Sequence, residues 1–409
     1  MHVCVIGAGI VGLSTAYKLS EQGFRVTVID AAASVACGAS GNNGAQLSYS
    51  YVQPLADASI WLQLPKLLLS RSSPLTFKPQ WDLRQWQWCI AFLKACNRSR
   101  AHQTTAHLLE LATQSRQAFD AMLARENLNC HFSNSGKLVL YQTSESFLHA
   151  KKQMLLQRSM GCVQEALSAT QCIATEPALD NYAGSIAGGI YTASECAVDT
   201  LALCKGLESI LRQRGVQFLF NHSVNRLELS NQKIVAAHTP SHTIEANSFV
   251  LAGGVGSVRL AQTLQITLPI YPLKGYSVTY DLPPLGANSQ PIAPTVNVTD
   301  FARKIVFARL GAKLRVAGMA ELVGNDTTVS TAAIHQLTEA TTSIFPKLGS
   351  VQAQEPWSGL RPATPTGIPI VGSLMGAPSN LFFNTGHGGL GLTLAFGSAT
   401  QIALAMRKS

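Results

Sequence analysis

Apolar runs and their spacing divide this 409-residue chain into strand-like and helix-like stretches. His2–Ile6 and Arg25–Ile29 are short, β-branched and without polar alternation, which predicts parallel strands buried on both faces. A tight glycine turn and a helix are predicted between them. From about Ser59 to Gly161 the pattern becomes helical, and Ala101–Arg125 is free of proline and glycine. Lys137–Tyr141 interrupts it as a short strand. Thr200–Gly215 reads as an amphipathic helix. A strand at Val216–Asn221, alternating runs at Val224–Leu229 and Lys233–His238, and a buried strand at Ser248–Ala252 follow. Further strands are predicted at Gly275–Tyr280, Lys304–Arg309 and Leu314–Gly318. A Pro/Gly-rich segment, Gly359–Gly372, precedes a strand at Leu381–Asn384, a glycine turn and a closing helix at Leu390–Met406. The length suggests two domains. No repeat or low-complexity linker separates them, so they are expected to be interleaved.

The turn after the first strand carries candidate chemistry. Gly7, Gly9 and Gly12 fit G-x-G-x-x-G between a strand and a helix, and Asp30 closes the next strand. Gly7 permits the sharp turn, Gly9 lets the backbone approach a pyrophosphate, and Gly12 lets the helix pack closely on the strand. The helix amides and dipole favour the phosphate charge, and Asp30 stands where a carboxylate bonds an adenosine ribose hydroxyl. The strand, helix and acid together predict a dinucleotide site.

Composition narrows the class. The chain is 46% hydrophobic and 13% charged, which indicates a well-buried enzyme rather than a disordered or fibrous chain. Its 9 cysteines form no CxxC pair and no metal-ligand spacing, so reduced, buried thiols in a cytoplasmic protein are expected, without zinc. The glycine turn begins at residue 7, so no signal peptide is expected, and no run of 18 apolar residues is expected to span a membrane. The net charge of +9 is dispersed and carries no nucleic-acid-binding motif. Trp61, Trp81, Trp86 and Trp88 fall in one stretch with Lys66, Arg71, Lys78, Arg84, Lys94, Arg98 and Arg100 against the single acid Asp82. That mixture suits contact with an anionic membrane surface; it equally suits tryptophans in a domain core with the charges facing water.

Several motifs carry a family resemblance. The first segment, the loop Gly38–Gly44, the strand and turn Val250–Gly254 and two C-terminal glycine-rich stretches occur in the order of the FAD-dependent D-amino-acid oxidase superfamily. Tyr271-Pro272-Leu273-Lys274-Gly275-Tyr276-Ser277, Val316–Glu321, Trp357–Pro362 and Asn384–Gly388 resemble the bacterial D-amino-acid dehydrogenases within it. The resemblance runs from Met1 to about Ala405. It implies an α/β fold in which a Rossmann-type FAD-binding domain (1–58, 189–265 and 349–409) is interleaved with a second α+β substrate domain containing a mixed β-sheet (59–188 and 266–348). The chain departs from the family pattern at Ser48–Tyr51, Thr192–Ala197, Phe301–Arg303 and Leu392, so the preferred substrate side chain is expected to differ while the chemistry stays the same.

The implied cofactor is FAD. Its contacts are expected from Gly7, Gly9, Ile10, Val11, Gly12, Asp30, Ala39, Ser40, Asn43, Gly44, Val224, Ala252, Gly253, Gly254, Gly386, His387, Gly388, Gly389, Leu390, Gly391 and Leu392. Free amides at the closing helix would face the flavin pyrimidine ring and stabilise the anionic reduced form. His387 is read either as a hydrogen bond within the turn or as a group near the flavin. For the substrate carboxylate the foremost candidate is Arg361, because a guanidinium offers permanent, bidentate recognition. Tyr276, Tyr51 and Arg309 are weaker candidates, and Lys274 is read as structural. No cysteine follows Cys204, so a flavin link through a C-terminal cysteine is excluded.

The implied function is oxidative deamination of D-amino acids to 2-oxo acids and ammonia by hydride transfer to flavin N5, with electrons passing to a quinone or other respiratory acceptor. Two alternatives stay open. One is an oxygen-using oxidase of glycine, sarcosine or a cyclic imino acid; the other is a non-catalytic flavoprotein subunit of a membrane or partner complex. The expected location is cytoplasmic, or peripheral on the inner face of the bacterial cytoplasmic membrane.

Overall fold

The computed structural model describes residues 1–52, 56–57, 75–284 and 291–408; Trp61, Lys66, Arg71 and the expected boundary at residues 58 and 59 lie outside them. The strand His2–Ile6 sits near the middle of a six-stranded sheet, parallel to Arg25–Ile29 on one side and Ser248–Leu251 on the other. This position explains its unbroken apolar pattern, since Val3, Cys4 and Val5 are fully buried. Gln217–Leu219 and Leu381–Thr385 extend the sheet in parallel, and Ile370–Gly372 closes one edge antiparallel. The helices Ile10–Glu21, Thr200–Gln213 and Gly391–Lys408 share one core with Val3, Val5, Val26 and Val28. The three-stranded meander Arg226–Ser230, Lys233–His238 and Thr243–Glu245 packs Leu227, Ile234 and Ile244 on the other face, against Cys4, Ile29 and Phe249.

The closing helix is long and apolar enough to cross a membrane by composition alone. It is instead a core helix, packed against Ile10–Glu21 and Arg98–Glu126, with Leu394, Phe396, Ile402 and Ala403 buried. No disulfide joins cysteines among the described residues, and Cys37 is exposed rather than buried.

A nine-stranded mixed sheet forms the second body. Tyr271–Asp281, Lys313–Leu322, Ile305–Leu310, Asn297–Asp300 and Lys137–Tyr141 follow one another across it. One face buries Tyr276, Val278, Phe307 and Val316 together with Leu337 and Ile344 of the helix Thr331–Ile344. Two strands differ from the expected segment boundaries. Gly188–Thr192 pairs with Lys137–Tyr141, and Ala353–Ala363 pairs along nearly the whole of Tyr271–Asp281. The sequence pattern hides the second because Gly359 and Pro362 resemble loop punctuation. The strand lies at the sheet edge, where a proline removes no needed donor.

The opposite face of this sheet receives a segment from the nucleotide-binding body. Ser277 Oγ donates to Asn42 O (2.8 Å), and an Arg315 guanidinium nitrogen donates to Asn43 O (3.4 Å). Gln46 Nε2 donates to Val298 O (3.1 Å) and Phe307 O (3.0 Å), and Lys137 Nζ donates to Ser48 Oγ (2.8 Å). Asn42–Ser48 therefore crosses the sheet strand by strand. Gln46–Leu47 also forms a two-residue ladder with Cys196–Ala197.

Candidate active site

Gly7 is in a left-handed conformation (φ +120°), and a Cβ there would stand 2.5 Å from Ala252 O. A Cβ on Gly12 would stand within 1.9 Å of Gly7 O, so the first helix reaches the strand only because position 12 has no side chain. No side chain caps this helix through Gly9, although the Ile10 amide donates to Ser40 Oγ (3.0 Å). Asp30 accepts from the Ala8 amide (2.6 Å) and the Ala32 amide (2.8 Å), which fixes its carboxylate at the sheet's carboxyl edge. Gly7, Asp30, Val224 and Gly253 line a cleft of about 1170 Å³ whose far wall includes Arg84, Tyr271 and Leu360. Ser257 Oγ and the Tyr271 hydroxyl are buried in residues lining this cleft and have no hydrogen-bond partner among the described residues. Open helix amides, a fixed acid at the strand end and unpartnered hydroxyls are what a dinucleotide requires, so these residues fit FAD.

The second half of the cradle is built by the crossing segment and the C-terminal turn. Asn43 Oδ1 accepts from the Ala45 amide (2.8 Å) and from Thr200 Oγ1 (2.9 Å), and Gly44 lies directly on Val306. Ala39 lies in the turn before Ser40. The Ser48 amide donates to Thr393 Oγ1 (3.1 Å), tying the segment to the first turn of the closing helix. Gly386 (φ +81°) opens that turn after the strand Leu381–Thr385, and Gly388, Gly389 and Leu390 form a short 3₁₀ turn leading into Gly391. Leu392 is buried in the helical core. His387 is 3% exposed and pairs Nε2 with Ser398 Oγ (3.1 Å); burial pushes its pKa down to about 3, so it is neutral. Ser398 lies within the closing helix, so this bond ties the turn to that helix rather than closing within the turn.

Arg361 reaches this cradle from the edge strand. Its aliphatic chain lies against Gly389 (4.0 Å to a Cβ placed there), and its guanidinium covers Gly275, where a Cβ would meet a terminal nitrogen at 2.2 Å. One of its NH groups donates to Met319 O (2.9 Å). That carbonyl is aimed by a β-bulge: Met319 and Ala320 together oppose Gly275, and Met319 has φ +63°. No ion pair involving Arg361 is present among the described residues, and burial lowers its pKa. A guanidinium fork with no ion pair among the described residues, set beside the C-terminal glycine turn, is suited to a carboxylate.

The other three expected substrate residues do not join Arg361. Side chains alternate along a strand, so Tyr276 points to the face opposite Gly275. Its hydroxyl donates to Glu321 Oε2 (2.8 Å) within the core under the helix Thr331–Ile344, and burial raises its pKa. Arg309 likewise follows Phe307 on the core-facing side and donates through Nε to Gly311 O (3.2 Å) at the strand end. Tyr51 is on the crossing segment but at its far end, packed among Val139, Tyr141 and Phe301 with Lys137 Nζ 4.4 Å from its ring centroid; burial pushes its pKa up to about 12. Lys274 pairs with Asp326 (3.0 Å). The departing segments Ser48–Tyr51, Thr192–Ala197 and Phe301–Arg303 converge at this far end. Met319, Lys137, Glu195 and Thr393 were not singled out by the sequence; only the bulge-like Gly-Met-Ala run hints at the first.

A family model described as FAD dependent oxidoreductase matches residues 2–404. A protein named D-amino acid dehydrogenase 2 from Ralstonia nicotianae is 43% identical over 411 residues, spanning 98% of this chain and 96% of that protein. A protein of the same name from Pseudomonas aeruginosa is 40% identical, spanning 98% and 94%. Among solved structures, glycine oxidase from Geobacillus kaustophilus superposes with a TM-score of 0.79 at 19% identity, covering 100% of this chain and 94% of that one. The glycine-lined cleft, the crossing segment and the C-terminal glycine turn thus occur in a chain that belongs to the family of FAD-dependent oxidoreductases.

Proposed function

We propose that this protein oxidises D-amino acids to 2-oxo acids and ammonia and passes the electrons to a quinone or similar respiratory acceptor. The observation that carries the reading is Arg361, a guanidinium with no carboxylate partner among the described residues, set against the C-terminal glycine turn. Full-length similarity to proteins named D-amino acid dehydrogenase supplies the substrate's chirality. The chemistry that FAD supplies when bound is hydride acceptance at N5. Arg361 would hold the substrate carboxylate and so orient the α C–H. The first turn of the closing helix would place its amides and positive dipole end near the charge that develops on reduction.

An exposed surface favours an acceptor dissolved in a membrane. The described tryptophans differ in burial. Trp88 is core: its Nε1 donates to Ala363 O (2.8 Å) and its ring stacks on Phe92. Trp81 before the helix Leu83–Ala95, and Leu83, Trp86 and Ile90 on it, are exposed, with Lys94 on the same helix. Exposed tryptophans and aliphatic side chains beside a lysine suit the surface of an anionic bilayer.

The test is anaerobic mixing of the purified yellow protein with paired D- and L-amino acids, glycine and sarcosine while the flavin absorbance is followed. Bleaching by D-amino acids alone supports the proposal, and the reduced protein should then reoxidise faster with a soluble quinone than with oxygen. Bleaching only by glycine or sarcosine would assign an oxidase. No bleaching by any of them would assign a non-catalytic role. Co-sedimentation with anionic but not neutral vesicles, lost on replacing Trp81 and Trp86 by Ser, tests the membrane contact.

A further inference from the structure

A group of buried polar side chains lies at the end of the crossing segment remote from Arg361. Lys137 opens the strand Lys137–Tyr141 and is 3% exposed, while Glu195 follows the strand Gly188–Thr192 and is fully buried. Lys137 Nζ donates to Ser48 Oγ (2.8 Å) and lies over the Tyr51 ring. Glu195 Oε1 accepts from the Ser50 amide (2.6 Å), and its Oε2 is buried as well. A buried cation and a buried carboxylate therefore hold alternate residues of one four-residue stretch, Ser48–Tyr51. Gln157 Nε2 adds a bond to Ser50 O (3.2 Å), and the Ser48 amide continues to Thr393 Oγ1.

These charges cost free energy where they stand. Burial pushes the Lys137 pKa down to about 8 and the Glu195 pKa up, and the charge of each opposes the shift of the other. The neighbouring cluster of Val139, Tyr141 and Ile190 is apolar, so space filling alone calls for no charge. Lys137 and Glu195 each favour the other's charged form and Arg116 also favours that of Glu195, so removing Lys137 weakens this compensation, whereas removing both Lys137 and Glu195 can be nearly neutral.

We propose that Lys137 and Glu195 are a positioning pair that fixes Ser48–Tyr51 between the sheet and the closing helix, and through it sets the flavin cradle at Asn43–Ala45 and the helix mouth at Thr393. The inference rests on FAD binding by this family and holds whether or not Arg361 binds the substrate.

The experiment compares Lys137→Met, Lys137→Arg, Glu195→Gln, Ser48→Ala and the Lys137→Met/Glu195→Gln double variant with the wild-type enzyme. It measures the FAD dissociation constant by reconstitution of the apoprotein, and kcat and KM on D-alanine. Lys137→Met and Glu195→Gln should each weaken FAD binding about tenfold or more and lower kcat, leaving KM within about twofold. Lys137→Arg should restore FAD affinity. The double variant should be less impaired than the product of the two single effects. Ser48→Ala removes only a hydroxyl and so tests the contact even where a charge variant fails to fold; it should weaken FAD binding about threefold. Unchanged FAD affinity in Ser48→Ala and Lys137→Met would overturn the proposal. So would multiplying single effects in the double variant, or a change confined to KM. The FAD titration reads the pair independently of which substrate is oxidised.

Discussion

Replacing Arg361 by Met separates a substrate-binding arginine from a structural one. The side chain in the substrate-free protein makes one hydrogen bond, to Met319 O, and no ion pair among the described residues. Truncating one partner of a desolvated charge pair costs about 2–5 kcal/mol. Arg361 is only partly buried, so about 3 kcal/mol is the expected loss on substrate binding, or roughly 150-fold in kcat/KM for a D-amino acid. The stability expectation runs the other way. Methionine matches the length of the aliphatic stem and removes a partly buried cation that has no counter-ion among the described residues, which offsets the loss of one charged hydrogen bond worth about 1.5–3 kcal/mol. The net change in unfolding free energy should stay within about 1 kcal/mol, read by urea denaturation of the FAD-loaded protein. Arg361→Lys keeps the charge without the planar fork over Gly275 and should fall between wild type and Met. Steady-state kinetics on several D-amino acids, with FAD content measured alongside, decide the matter. Unchanged KM together with a stability loss above about 3 kcal/mol would make Arg361 a structural residue and refute the argument.

Three further outcomes follow from the same geometry. Gly275→Ala places a methyl where the Arg361 guanidinium lies, and the arginine tip is free to shift; KM should rise at least about tenfold with stability nearly unchanged, checked by kinetics and thermal melting. Tyr276→Phe deletes the bond to buried Glu321 on the sheet face away from Arg361, so it should cost about 1–2 kcal/mol of stability and leave kcat/KM within about twofold. A large kinetic defect would mean that the strand's facing has been misread. His387 has a folded pKa of about 3 against 6.5 unfolded, so the unfolded chain takes up the proton first and stability falls as pH drops through that window. Its share between pH 7 and pH 5 is about 2 kcal/mol, and His387→Gln should remove that share from the pH dependence of urea unfolding. An identical pH slope in the variant would show that His387 protonates in the folded state.

The sequence by itself determined the local units and the cofactor-binding half of the site. Gly7, Gly9, Gly12 and Asp30 are legible because strand, turn, helix and strand are consecutive, so spacing along the chain is spacing in the fold. The short apolar runs at His2–Ile6 and Ser248–Leu251 announce buried strands for the same reason. Tertiary structure alone decided which candidates meet. Tyr276 stands one residue from Gly275 yet faces the opposite side of the sheet, and Pro362 lies in an edge strand rather than a loop. Arg361 is aimed by a bulge at Met319 whose partner strand lies over 40 positions away in sequence. Lys137, Glu195 and Ser48 are far apart in the chain and meet only where the crossing segment reaches its last strand. Residue types reveal what chemistry a side chain can do, but strand register and sheet face determine what it touches, and those are set by pairings between distant segments.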